Sequence, residues 1–411
     1  MTLIGEMGER QLIEDFGTFI VREGEVGPGD DAAVLSRGVV ASTDAVTFDR
    51  HMPAGMTYEQ FGWYSAAVSF SDLAAMGARP TGILAALALP GDLDVQAAYD
   101  IMSGISQCAE FCETGIAGGD TKVGPGVVTT TAIGSMDGRR PMLRSGARPG
   151  DVVALTGPVG GPAAGYISLE LGVDADDARS SLYVPVPRIA EGAAMAASGA
   201  VTSCMDLSDG LGTALNTICQ SSGVGMEVEL SFIPRGPSVD EMAEASGRDV
   251  RDLLLGWGGE YELLFTASQD RLDALYEAEV PFSIIGIVND TGAPHLTDGG
   301  KRTVIPYGKY REGRGLALRQ GRRVVRLPSM SPRLQDRPGA DGQVHGKEGG
   351  RRHARRVHIR EGHVDERGPD GEEAAVPLPP GGALPVRGER RLQHALQALP
   401  ELRHIVGADR S

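Results

Sequence analysis

From residue 5 to about residue 307 the chain alternates between two spacings of apolar positions, and Gly or Pro marks most of the switches. Leu12, Ile13, Phe16, Phe19 and Ile20 recur at helical spacing and predict a helix within 5–21. Val34-Leu35 and the apolar run from Val39 predict two short strands around a Ser36-Arg37-Gly38 turn. An Ala- and Ser-rich helix is expected over 60–76, closed by Gly77 with Pro80 just beyond. A buried strand follows at 82–89, ended by Pro90-Gly91, then a helix at 95–114 and a β-rich stretch at 127–135 before the Asp137-Gly138 turn.

The second half repeats the alternation with shorter periods. Strands are expected at 151–156, 226–230, 261–267 and 282–288, and helices at 163–171, 189–198, 210–222, 238–246 and 269–279. The pattern predicts an α+β domain over 1–142 and an α/β layer domain over 143–308, with a linker near 144–149.

Composition changes at about residue 309. The last 103 residues carry 21 Lys+Arg against 13 Asp+Glu, which leaves 18 basic and 42 acidic residues in the first 308, a net charge of −24. A body that acidic does not hold nucleic acid by neutralising phosphates, so it meets anionic ligands through cations and backbone N–H groups. The segment 309–411 has no aromatic residue after Tyr310 and holds six of the eight His. That Arg/Gly/Pro-rich text buries little apolar area and is expected to be disordered. Three readings of it stay open: a basic arm for nucleic acid, an extension without a site, or an out-of-frame stretch of a GC-rich gene. No stretch supplies the ~18 apolar residues of a membrane span, no signal peptide is recognisable, and the four Cys read as core thiols. A cytoplasmic protein is expected.

The candidate chemistry lies in seven acidic segments beside Gly, Ser or Thr: Gly29-Asp30-Asp31, Ser42-Thr43-Asp44, Ser71-Asp72-Leu73, Gly118-Gly119-Asp120-Thr121, Met205-Asp206-Leu207, Ser208-Asp209-Gly210 and Gly258-Gly259-Glu260. Taken singly, each is most often an Asx-turn or helix cap. Together they offer hard oxygen ligands suited to Mg²⁺ around phosphates. Neither a P-loop nor a Gly-x-Gly-x-x-Gly dinucleotide fingerprint is present, and with only His51 and His295 in the body a His-based triad or zinc site is not expected.

In order and spacing these segments, with His51 seven residues after Asp44, Arg144-Ser145-Gly146-Ala147, and Glu260-Tyr261-Glu262-Leu263-Leu264, resemble the thiamine-monophosphate kinase family over about residues 5–315. The resemblance implies a two-domain fold like aminoimidazole ribonucleotide synthetase, a homodimer formed through the N-terminal ATP- and Mg²⁺-binding domain, and transfer of the ATP γ-phosphate to thiamine monophosphate. It implies Mg²⁺ ligands at Asp30, Ser42, Thr43, Asp44, Asp72, Asp120, Asp206 and Asp209, with Asp120 and Asp209 also in catalytic roles. ATP contacts are implied at Gly119, Asp120, Arg144 and Ser208, and contacts to the thiamine substrate at His51 and Glu260. An acceptor that is already an anionic phosphate needs no general base, which agrees with the scarcity of His.

Two departures from the family pattern stand out. An acidic residue usual between the positions of Glu260 and Tyr261 is missing here, which bears on the register of the Glu260 contact. Arg314-Gly315 continues into Leu316 where the family closes on an aromatic and a His-Phe pair over the substrate. The rival readings are another ATP-using enzyme of the same superfamily, of purine-synthesis type, and a catalytically dead ATP-binding scaffold. Selenophosphate and hydrogenase-maturation types are disfavoured, since the first Cys is Cys108 and the chain ends Asp409-Arg410-Ser411.

Overall fold

The computed structural model describes residues 29–306 throughout, with 13, 15, 16, 26 and 27 before them. Most of the expected opening helix, Tyr307, the closing segment near Gly315 and the tail from 309 lie outside the described residues.

The first sheet has five strands in the order β1-β2-β5-β3-β4: β1 (Ala33–Leu35), β2 (Val39–Thr47), β3 (Arg79–Leu89), β4 (Ile116–Val123) and β5 (Val127–Ser135). Only β3 and β4 pair in parallel. Helices α1 (Tyr58–Met76) and α2 (Val95–Phe111) both pack with β3, and α1 also lies against β2 and β5. Along β3, Ile83, Ala85, Leu87 and Leu89 are buried while Leu84 is exposed, the period-2 signature of a sheet covered on one face.

α1 is organised at both ends by its own sequence. Thr57 accepts a hydrogen bond from Gln60 N–H, and the Gln60 side chain accepts one from Thr57 N–H, a capping box. Gly77 closes the helix at φ 74°, as its position predicts. The body of α1 is buried on almost every side, because it packs against α2, the first sheet, and elements of the second half. Its contact with α2 is made by backbone: a Cβ on Gly62 would lie 2.0 Å from Ile101 O, and one on Gly104 1.9 Å from Glu59 O. Only glycine fits at either point.

The second half runs β6 (Val152–Leu155), α3 (Gly161–Leu171), α4 (Asp176–Tyr183), α5 (Ile189–Ser198), β7 (Val201–Asp206), α6 (Leu211–Ser222) and β8 (Gly225–Glu229). It continues with α7 (Val239–Ser246), α8 (Val250–Leu255), β9 (Leu263–Ala267), α9 (Leu272–Glu277), β10 (Ser283–Asn289), β11 (Pro294–Asp298) and β12 (Lys301–Val304). Its seven strands are ordered β12-β11-β8-β10-β6-β9-β7. Both faces of this sheet are covered. Val153 and Leu155 of β6 face one core with Met205 and Leu264, while Val152 and Ala154 face another with Cys204, Phe265 and, from α1, Ala74 and Ala75. The α1 helix thus touches both sheets, and its Ser69–Asp72 turn comes to the end of β7.

Several elements differ from expectation. β2 extends to Thr47 and so carries the whole Ser42-Thr43-Asp44 segment. The segment Gly118-Gly119-Asp120-Thr121 belongs to an edge strand, β4, rather than to a loop, because pairing with β3 overrides the poor strand propensity of Gly and Asp. β7, β11, β12, α4 and α8 were not anticipated. They are short, and their apolar pattern is too brief to show a period.

Candidate active site

All the acidic segments but the one on β4 gather where the end of β7 meets α1 and β2. Carboxylate oxygens of Asp31, Asp72 and Asp206 lie within 4.8 Å of one another. Each arrives by a simple local rule. Along β2, alternation turns Ser42 and Asp44 to the same face as buried Val40 and Val46, and Thr43 to the other. On α1, Ser69 and Asp72 are one turn apart and meet β2: Ser42 Oγ donates to Asp72 Oδ2 at 2.5 Å, and Ser69 Oγ to Asp44 Oδ2 at 3.2 Å. Ser71 points to the other half, its Oγ donating to Asp206 Oδ2 at 2.7 Å, and Ser208 Oγ donates to Asp206 Oδ1 at 3.0 Å. Serine hydroxyls thereby hold the carboxylates in place without adding charge.

Arg144, from the connection between the sheets, brings positive charge to this cluster. Its Nη2 donates to Asp31 Oδ1 at 2.7 Å and its backbone N–H to Asp30 Oδ1 at 2.8 Å. The other oxygen of Asp31, Oδ2, is buried with no hydrogen-bond partner. Burial, then the neighbouring Asp206, Asp44 and Asp31 carboxylates, hold Asp72 well above the usual range. Burial and Asp31 push Asp206 up to about 7, and burial raises Asp31 against the opposing pull of Arg144. Three crowded carboxylates, one with an orphaned oxygen, are a hard-oxygen donor set that fits Mg²⁺.

The remaining candidates divide. Asp30 sits beside the trio but spends an oxygen on Arg144 N–H, and Asp31, which the sequence reading did not single out, supplies the third carboxylate. In an Asp-Asp pair only the tertiary fold decides which one faces inward. Thr43 bonds Thr130 O and Thr131 Oγ1 on the outer face of the first sheet. Asp120 is exposed on β4 and lies 3.7 Å from Lys122. Through the register Ala45–Thr129–Ala86–Asp120 it stands three strands from β2, about 14 Å at ordinary strand spacing. Gly119 meets a packing need there, since a Cβ would fall 1.8 Å from Ala85 O. Ser208 and Asp209 are exposed at the rim.

The segment after β7 and the segment before β9 lie backbone on backbone. A Cβ on Gly210 would be 2.1 Å from Trp257 O and one on Gly258 2.0 Å from Ser208 O, while Gly259 N donates to Ser208 O at 2.9 Å. This contact brings Glu260 and Tyr261 toward the acidic cluster. Glu260 is buried, takes a hydrogen bond from Gly160 N at 3.2 Å ahead of α3, and leaves Oε2 unpartnered. Burial pushes its carboxyl up to about 8. Tyr261 OH lies 3.0 Å from Tyr64 OH, and the Tyr64 ring is 6.4 Å from that of His51. His51 is half-buried at the end of a single helical turn, its Nδ1 accepting Thr47 N–H at 3.0 Å, and burial lowers its pKa. Sequence reading did not mark Tyr64 or Ser69, which look like ordinary core positions of a helix.

Known proteins place this arrangement. Residues 29–136 match the family described as AIR synthase related protein, N-terminal domain, and residues 148–299 match its C-terminal domain. The thiamine-monophosphate kinase of Methanopyrus kandleri is 35% identical over 59% of this chain and 77% of that protein. That of Methanospirillum hungatei is 34% identical over 69% of this chain and 93% of that protein. A solved structure described as AaThiL complexed with AMPPCP and TMP is 25% identical, with a TM-score of 0.65, and covers 72% of this chain and 95% of that chain. With the fold, the sequence identity and the length covered all in agreement, this chain belongs to the thiamine-monophosphate kinase family of phosphotransferases.

Proposed function

We propose that this protein transfers the γ-phosphoryl group of ATP to thiamine monophosphate, giving ADP and thiamine diphosphate by direct in-line displacement. The observation that carries this reading is the group Asp31, Asp72 and Asp206, three buried or half-buried carboxylates with one orphaned oxygen, in a member of this family. Asp31, Asp72 and Asp206 would hold Mg²⁺, with Asp44 and Ser42 beside them and Asp30 and Asp209 at the margin. Bound there, the cations would supply neutralisation of the phosphate charges that meet during transfer.

The protein's own groups do the rest. Arg144 opposes the protonation that burial favours at Asp31 and offers guanidinium N–H groups toward phosphate oxygens. Ser208 and Asp209, exposed on the rim, face incoming nucleotide. His51 and Glu260 flank the side on which the organic part of thiamine monophosphate rests. No group needs to take a proton from the acceptor, whose phosphate is already anionic.

Gly119, Asp120 and Thr43 belong to a wider assembly in this reading. They lie on the open face and free edge of the first sheet, where Leu84 and Val123 are also exposed. A homodimer built through that face would cover these residues and let β4 of one copy line the nucleotide cleft of the other. Light scattering of the purified protein checks the dimer, and a monomeric mass removes it. The four described Cys are free and buried, in keeping with work in the cytoplasm. Among the described residues no helix is long and apolar enough to cross a membrane.

The test uses the full chain and a form ending at Tyr310, each given Mg²⁺, ATP and thiamine monophosphate. Formation of thiamine diphosphate with ADP, dependent on both Mg²⁺ and thiamine monophosphate, is the expected result. ADP release indifferent to thiamine monophosphate points instead to a different acceptor within the superfamily, and ATP binding without turnover to a scaffold.

A further inference from the structure

Tyr261 is held in a backbone conformation that it does not favour. Its φ is 53°, in the left-handed region where aromatic residues rarely sit. Its own N–H reaches Leu207 O only at 3.4 Å. The ring is nevertheless buried, edge-on to Tyr64 with centroids 5.9 Å apart. Something beyond Tyr261 must keep the chain there.

The next residue supplies the anchor. Arg188, just ahead of α5, grips Glu262 with a two-point fork: Nε donates to Oε2 at 2.9 Å and Nη2 bonds Oε1. Thr156 Oγ1 donates to Glu262 Oε2 at 2.7 Å and accepts Leu263 N–H at 2.8 Å, while Glu262 O accepts Leu207 N–H at 2.9 Å. The Glu262 side chain is 7% exposed, so its charge is held almost entirely by these partners. None of them belongs to the acidic cluster.

We propose that Arg188, acting through its fork on Glu262, is a positioning residue that fixes Tyr261 and with it the Tyr261–Tyr64–His51 wall of the acceptor site. This rests on the phosphoryl-transfer reading above. Two tyrosine rings and a half-buried His form a surface suited to a flat heteroaromatic cation, as in the thiazolium part of the thiamine substrate. The wall adjoins the cluster, with Asp44 near both tyrosines and Asp206 near Tyr261, but the fork reaches it through the chain at Tyr261 and makes no bond to a cluster carboxylate. Loosening the fork therefore acts on the acceptor and spares ATP.

The experiment compares wild type with Arg188→Met/Glu262→Gln and Arg188→Lys. Arg188→Met alone strands a buried carboxylate, so the double variant, which removes both charges together, is the fair test of position rather than stability. Arg188→Lys keeps the charge and loses the fork. In the double variant the KM for thiamine monophosphate rises about tenfold or more while the KM for ATP stays within about twofold of wild type. Arg188→Lys shows a smaller rise of the same kind. Either KM pattern without that separation, both unchanged or both rising in parallel, overturns the proposal, as does a wild-type KM for thiamine monophosphate in Arg188→Lys. If wild type itself makes no thiamine diphosphate, the reaction is wrong, and amide hydrogen exchange of residues 258–263 then decides the positioning alone. Faster exchange there in the folded double variant supports the fork, and unchanged exchange overturns it.

Discussion

Asp31 shows how a single carboxylate can serve two partners. One oxygen holds the Arg144 guanidinium, and the other is buried, unpartnered and close to Asp72 and Asp206. Asp30, its neighbour in sequence, spends an oxygen on the backbone of Arg144. The two residues therefore separate under substitution. Asp31→Asn and Asp206→Asn each lower kcat/KM by about 100-fold or more, the scale of losing a group that meets developing charge. Asp30→Asn costs less than about tenfold, because an amide oxygen still accepts from Arg144 N–H. Rates of thiamine diphosphate formation, with Mn²⁺ titrations of each variant, check the ranking. Equal losses for Asp30→Asn and Asp31→Asn would sink it. Sequence alone leaves this choice open, since both residues stand in the same Gly-Asp-Asp text.

At the scale of elements, α1 links local signals to the site. Its end was legible in Gly77 and Pro80, whereas its start, expected at 60, lies two residues earlier, where Thr57 and Gln60 form a capping box. Thr57→Ala removes the capping hydrogen bond and costs about 1 kcal/mol of stability. Gly62→Ala costs more, roughly 3 kcal/mol, because the new methyl group meets the Ile101 carbonyl of α2 and the two helices must part. Urea denaturation measures both, and a Gly62→Ala protein as stable as wild type would contradict the helix contact. The partial shift that α1 then undergoes also moves Ser69, Ser71 and Asp72, so activity falls ahead of stability. By contrast β4 was not legible as a strand, because its residues are Gly- and polar-rich and only the pairing with β3 makes them extended.

For the whole molecule, burying acidic groups costs stability, and pH exposes that cost. Asp206 rises from 3.8 to about 7 and Glu260 from 4.5 to about 8 on folding. The folded state therefore binds more protons than the unfolded state between those values. Without metal, stability is highest below about pH 4 as far as these groups are concerned, and falls as pH rises through 7 and 8. The melting temperature of the metal-free protein drops by roughly 10 °C between pH 5 and pH 8 from this source. Mg²⁺ restores the part due to Asp206 at pH 8 and has little effect at pH 5, where protons occupy the carboxylates. Differential scanning calorimetry with and without Mg²⁺ at both pH values is the check, and a Mg²⁺ effect larger at pH 5 would refute the assignment.

The sequence by itself determined the class of chemistry and the family. Seven acidic segments in a set order and spacing, with little His and a strongly acidic body, carry the family resemblance and suit cation-assisted phosphate chemistry. Period and punctuation determined the long helices and the buried strands, because those signals are local. Only the tertiary structure decided which oxygens meet: that Asp31 joins Asp72 and Asp206, that Thr43 faces away, that Asp120 stands at a sheet edge, and that a fork from Arg188 holds the residue after Tyr261. Facing and proximity depend on how α1 seats between two sheets, through contacts among residues more than a hundred positions apart in the chain, and no local spacing encodes them.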